Sequence, residues 1–307
     1  MSINDQHSTL ENFDELFTVN PVDIEKNMTA LLPEAENRED KSIYLQILSQ
    51  IALAQAMQQN FDLAHKTLDM ADGLLEPRYE LAQIRLLLER GRVYHQSGNT
   101  EKSLPLFIKS YEQAKLNKDF DFHTVDAAHM VAIVANNVDD KIKCNKIAIA
   151  LAEKTNDERC QTWLGAIHNN LAQNYIEAEK YSEALESFKK CKAYAKERGD
   201  PIVIRGAAWG IARSLRSLNQ LEKALEIQKD LLIQYEDISS KQLLPIELVR
   251  TGRGLVYEEL AEIYSAQNNK EQTKKYSLLA YNDLSQDPWM KKLYPKRLER
   301  MKELSNL

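Results

Sequence analysis

The sequence predicts an all-α chain of antiparallel helical hairpins stacked as a solenoid, and three observations lead there. Six segments repeat a pair of positions twelve residues apart: Ala52/Ala64, Gly91/Ser103, Val131/Lys143, Ala172/Ala184, Ala212/Ala224 and Ala261/Thr273. The first members follow one another at 39, 40, 41, 40 and 49 residues, and self-similarity at such a period marks stacked helical hairpins. The composition leans to Leu, Ala, Glu, Lys and Gln, with only 9 Gly and 8 Pro in 307 residues, which favours helix and gives no strand pattern. Finally, 43% hydrophobic and 28% charged residues suit helices with one buried and one solvated face.

Charge and composition also exclude whole classes of function. A net charge of −6 argues against nucleic acid or an anionic membrane as the partner of the whole chain. Only the C-terminal stretch with Lys291, Lys292, Lys296, Arg297, Arg300 and Lys302 is basic, and cations there complement a final helix dipole and solvate its outer face. No run of apolar residues approaches the length needed to cross a membrane. The start, MSINDQHSTLENFDELF, is acidic and polar, unlike a secretory leader. Cys144, Cys160 and Cys191 are odd in number and lack metal-type spacing, so reduced thiols in a cytoplasmic protein are expected.

Taken in order, residues 1–40 are expected to hold a disordered start (1–11), an amphipathic segment beginning at Phe13, Leu16 and Phe17, and a second helix over 21–36 that makes an N-terminal cap or a degenerate hairpin. Residues 41–286 hold about six hairpins. The first supplies Leu48, Ile51, Ala52, Ala64, Leu68 and Ala71; the second Leu87, Gly91, Tyr94, Ser103, Phe107 and Ser110. The third supplies Ala127, Met130, Val131, Val134, Ile147 and Ala150, with Lys143 where a small residue is usual. The fourth is the clearest: His168, Leu171, Ala172 and Tyr175 share one face, and Ala184, Leu185, Phe188 and Cys191 answer them. The fifth offers Ala208, Ile211, Ala212, Leu215, Ala224 and Leu231, with Gln228 in an apolar position; the sixth offers Tyr257, Leu260, Ala261, Tyr264, Thr273 and Ala280. Polar turns carry Asn60, Asn99, Asp139, Lys180, Gln220 and Asn269 at one place, where Asn and Asp suit a left-handed or capping role. Ser239, Ser240 and Pro245 put a break near 238–246. Residues 287–307 form a final helix begun by Asp287-Pro288, with Trp289, Leu293 and Leu298 covering the last hairpin.

Small residues at those two sites let paired helices approach within about 8–10 Å. With an aromatic at Tyr175 and a Phe at Phe188, the unit resembles the tetratricopeptide repeat (TPR). Its period exceeds the standard repeat of about 34 residues, as in the long repeats of kinesin light chain and Rap-type peptide-pheromone receptors. The resemblance implies a right-handed superhelix whose first helices line a concave groove. By its register the groove holds Arg85, Glu89, Arg92 and His95; His129, Ala132 and Asn136; Asn169, Asn170 and Gln173; Trp209, Arg213 and Arg216; and Glu258, Glu259 and Glu262. Amides in series suit a peptide backbone. Arg213 and Arg216 suit an anion, Trp209 an apolar group, and the glutamates a basic segment.

The expected function is therefore non-catalytic binding of a protein or peptide, with no cofactor, nucleic acid or membrane, and a homodimer through a terminal repeat left open. A peptide-responsive regulator similar to Rap-type receptors is one alternative. A helical-repeat metalloenzyme is another, resting on His123, Asp126 and His129. Their i, i+3, i+6 spacing drifts around a helix, whereas helical metal pairs use i, i+4. No phosphate loop, nucleophile elbow or other catalytic motif is present.

Overall fold

The computed structural model describes residues 10–16 and 20–306 and contains helices and no strand among them. The chain divides after Leu164 into two compact units. The N-terminal unit opens with a 3₁₀ turn, Leu10–Leu16, followed by α1 (Pro21–Glu36), α2 (Ser42–Met57), α3 (Phe61–Asp72), α4 (Glu80–Gln96), α5 (Thr100–Ala114), α6 (Asp121–Val134), α7 (Val138–Lys154) and α8 (Glu158–Gln161). The division falls at the first residue of α9 (Leu164–Glu177). Then come α10 (Tyr181–Glu197), α11 (Pro201–Ser217), α12 (Leu221–Ser240), α13 (Ile246–Ala266), α14 (Lys270–Leu284), α15 (Pro288–Leu293) and α16 (Pro295–Ser305).

Sterics at the seams explain the pairing. Ala52, Ala64, Ala172, Ala184, Ala212, Ala224 and Ala261 are wholly buried. Glycine goes further where an aromatic ring fills the seam: a Cβ on Gly91 would lie 2.5 Å from the Phe107 ring, and one on Gly210 equally close to Phe188. Each unit buries its own apolar cluster, one around Leu45, Leu48 and Leu68, the other around Ile211, Leu231 and Leu260.

Five hairpin turns use one device. Gln59, Gly98, Glu179, Asn219 and Asn268 adopt positive φ, between 57° and 86°. The next N–H reaches back five residues to a helix carbonyl: Asn60 to Gln55, Asn99 to Tyr94, Lys180 to Tyr175, Gln220 to Leu215 and Asn269 to Tyr264, all at 2.8–2.9 Å. This is the Schellman closure, which satisfies carbonyls left orphaned at a helix end. The left-handed residue therefore sits one place before the position the sequence suggested, and only Asn269 of Asn60, Asn99 and Asn269 makes a side-chain cap, to Gln272.

The third hairpin departs from the expected register. α6 ends at Val134 and α7 begins with Asn137 capping Asp140 N–H, in a turn without a left-handed residue. Counted from the helix start, the inward position that Phe107 and Phe188 fill elsewhere falls on Asn145, not Ile147. Ile147 is 37% exposed, and Lys143 and Ala150 are also exposed.

Both ends also differ from expectation. Leu10 and Phe13 are buried, so the expected disorder over 1–11 does not extend to Leu10; residues 1–9 and Phe17 lie outside the described residues. Asp287 caps Trp289 N–H as expected, but the helix stops at Leu293 and α16 starts anew at Pro295. Trp289 (64%) and Leu293 (52%) are exposed, whereas Leu298 is buried as expected and is joined by Met290 and Met301. The break near 238–246 is present as the link between α12 and α13, with Gln242 left-handed.

Candidate functional site

The first helices of successive hairpins carry polar side chains about one repeat apart, and in the N-terminal unit several of these side chains pair with one another. Arg85 Nη1 donates to Gln46 Oε1 at 3.1 Å, and its other terminal nitrogen pairs with Asp14 of the 3₁₀ turn. Phe13 lies against the same guanidinium, 5.0 Å from ring centroid to carbon. Arg92 bridges Glu89 (2.6 Å) and Asp126, and Gln50 donates to Glu89. Burial pushes the Glu89 carboxyl up from its usual range, with Arg92 opposing. Burial also works against the Arg92 charge, but Asp126 and Glu89 outweigh it and hold its pKa up. Arg85 and Arg92, expected on an open groove, are thus committed to internal carboxylates.

His129 is buried too, its ring 5.4 Å from Trp163. Burial holds its pKa at about 4. His123 lies edge-on to Phe122, and the Asp126 carboxylate is taken by Arg92. Those three residues do not form a metal centre: among the described residues no group of three His, Cys, Asp or Glu side chains is placed to hold a metal ion. Cys160 and Cys191 are free and buried, with burial pushing both thiols up to about 11.

In the C-terminal unit the structure brings Trp209, Arg213, Arg216, Glu258, Glu259 and Glu262 together with two residues that register alone did not select, Arg297 and Arg300 of α16. Arg216 forks onto Glu259 at 2.7 and 3.1 Å. Arg297 forks onto Glu258, and Arg300 donates to Glu262 at 3.1 Å. The acidic end expected to select a basic ligand is therefore neutralised by this chain's own last helix, and the basic tail does more than solvate an outer face. Opposite charges spaced by one repeat, Glu258/Arg297 and Glu262/Arg300, were the signal available in the sequence.

Trp209 Nε1 donates to the Leu255 carbonyl at 3.0 Å. Arg213 and Arg297 lie 5.5 and 5.9 Å from its ring centroid. One repeat earlier, 40 residues before Trp209 and Arg213, stand Asn169 and Gln173 on α9, with Asn170 beside them. These three amides are half-buried, and no hydrogen-bond partner for their side chains occurs among the described residues. The amides are thus left without an intramolecular bond, whereas Gln46 and Gln50 on the corresponding face of the N-terminal unit are occupied.

No family model and no curated protein sequence matches the chain. Solved structures do. The chain superposes on the apo form of RapI with a TM-score of 0.65 at 13% identity, covering 98% of this chain and 80% of that one. The fold is that of TPR-like repeat proteins. A TPR-sensor STAND protein from Pyrococcus horikoshii gives 0.63 at 16% identity over 97% of this chain and 46% of that one. NprR, solved with its cognate peptide NprX, gives 0.59 at 13% over 95% and 82%. At these identities the likeness concerns the TPR-like architecture alone. No helix among the described residues is long and apolar enough to cross a membrane.

Proposed function

We propose that the chain binds an extended segment of a partner protein along the first-helix row of its C-terminal unit. In this reading Asn169, Asn170 and Gln173 bond the backbone of the segment, and the Trp209 ring receives an apolar side chain. One observation carries it: Asn169, Asn170 and Gln173 on this row of the C-terminal unit lack internal partners, while Gln46 and Gln50 of the N-terminal unit are bonded. An amide presents both a donor and an acceptor, matching a peptide group without reading its side chain. The peptide complex of NprR, a protein of the same fold, supports a peptide ligand, and the commitment of Arg85, Arg92, Gln46 and Gln50 to partners within the N-terminal unit favours the C-terminal unit as its seat.

Selection from a displayed library of random twelve-residue peptides tests this. The wild type should enrich a family of binders, and the triple variant Asn169→Ala/Asn170→Ala/Gln173→Ala should hold them at least tenfold more weakly, since each lost neutral hydrogen bond is worth about 0.5–1.5 kcal/mol. Equal affinity for the variant would remove this row from the binding site.

A further inference from the structure

The arginine cluster around Trp209 carries one more cation than its carboxylates neutralise. Arg213, Arg216 and Arg297 face Glu258 and Glu259. Both oxygens of Glu259 accept from Arg216, and both of Glu258 accept from Arg297. Arg213 is left with Glu259 Oε1 at 3.8 Å, too far for a hydrogen bond. It makes no other ion pair or hydrogen bond among the described residues. Burial lowers the Arg213 pKa, and the distant Glu259 does not restore it. Arg216 and Arg297 face the same burial yet are held up by their bonded carboxylates.

The geometry is that of a receptor for an anion. The Arg213 side chain is 31% exposed, so a ligand can reach it. Its guanidinium carbon lies 5.5 Å from the centre of a tryptophan ring that the Leu255 carbonyl fixes in place. A guanidinium held against an aromatic ring keeps its N–H edge free for two parallel bonds to a planar carboxylate. The surplus of one positive charge selects a monoanion. A phosphate, at about −1.5 to −2, would overshoot it beside Glu258 and Glu259.

We propose that Arg213, set against Trp209 and flanked by Arg297, is the subsite for an aspartate or glutamate side chain of the bound segment. This rests on the peptide reading above and names the ligand residue it requires. It also narrows the anion site expected from sequence, since Arg216 is already committed to Glu259.

The test uses terminally blocked synthetic copies of the peptides enriched by the wild-type protein. Each acid-containing peptide is paired with a twin in which Asp or Glu is replaced by Asn or Gln. The wild type should bind at least one acid peptide about tenfold more tightly than its amide twin. Arg213→Gln should bring the two together. Arg213→Lys, which keeps the charge but not the fork, should retain part of the preference, so the result does not hang on one variant's folding. If wild type binds both twins alike, or Arg213→Gln keeps the full preference, the subsite is wrong while peptide binding survives. If no peptide binds the wild type, both fall.

Discussion

At the scale of single residues, the fold turns on whether a position has room for a Cβ. Gly206 and Gly210 share α11 and differ in surroundings: nothing lies within 4 Å of a Cβ at Gly206, while one at Gly210 meets the Phe188 ring at 2.5 Å. Gly206→Ala should therefore stabilise by roughly 0.5–1 kcal/mol through helix propensity. Gly210→Ala should destabilise by about 1–3 kcal/mol because the seam is overpacked. Urea unfolding of both variants checks this; a gain at Gly210 would mean that α10 and α11 are not in close contact. The alanine seams were legible because small residues recur at a fixed period. The left-handed residues were not, because four of the five, Gln59, Glu179, Asn219 and Asn268, are not glycine, and conformation there is imposed by the hydrogen bonds of the turn.

Elements are held in register by ion pairs one repeat apart, and α16 shows this best. It buries Leu298 and Met301 while its arginines reach Glu258 and Glu262 of α13. Glu258 is nearly buried, with burial pushing its carboxyl up and Arg297 opposing. Arg297→Gln should cost about 2–3 kcal/mol, below the range for a fully buried pair because Arg297 is partly exposed. Adding Glu258→Gln should recover part of that loss, because the orphaned charge is gone. Additive losses in a thermal-unfolding cycle would show that the pair is decorative. Periodicity puts Glu258 and Glu262 on one face, yet it reports which way a side chain points and not what it meets. For the same reason the third hairpin stands two residues off its expected register: its small residues are ambiguous, and the Asn137 cap decides where α7 begins.

Across the whole molecule, each unit buries a histidine that folding keeps neutral. Burial lowers His129 of the N-terminal unit and His168 of the C-terminal unit to about 4, against about 6.5 in an unfolded chain. A depressed pKa contributes stability present above pH ~6.5, and it is lost as pH falls towards 4, where the unfolded chain takes up the proton first. For His168 the loss is about 3 kcal/mol. His168→Phe, which retains a ring to stack on Tyr194, should flatten the acid limb of the urea midpoint between pH 6.5 and 4. An unchanged limb would mean that His168 is solvated.

Architecture at this scale was readable from sequence because five hairpins repeat one seam and one turn. The proposed site was readable only in part. Asn169, Asn170, Gln173, Trp209 and Arg213 were selected by register and are left unbonded or reachable, whereas Arg85, Arg92 and Arg216 carry the same signature and are spent on internal carboxylates. A photoreactive side chain placed at Gln173, with a second protein carrying it at Lys189 on α10, asks directly where a selected peptide lies. The account predicts that the peptide cross-links from position 173 and not from position 189; efficient cross-linking from 189 with none from 173 would contradict it.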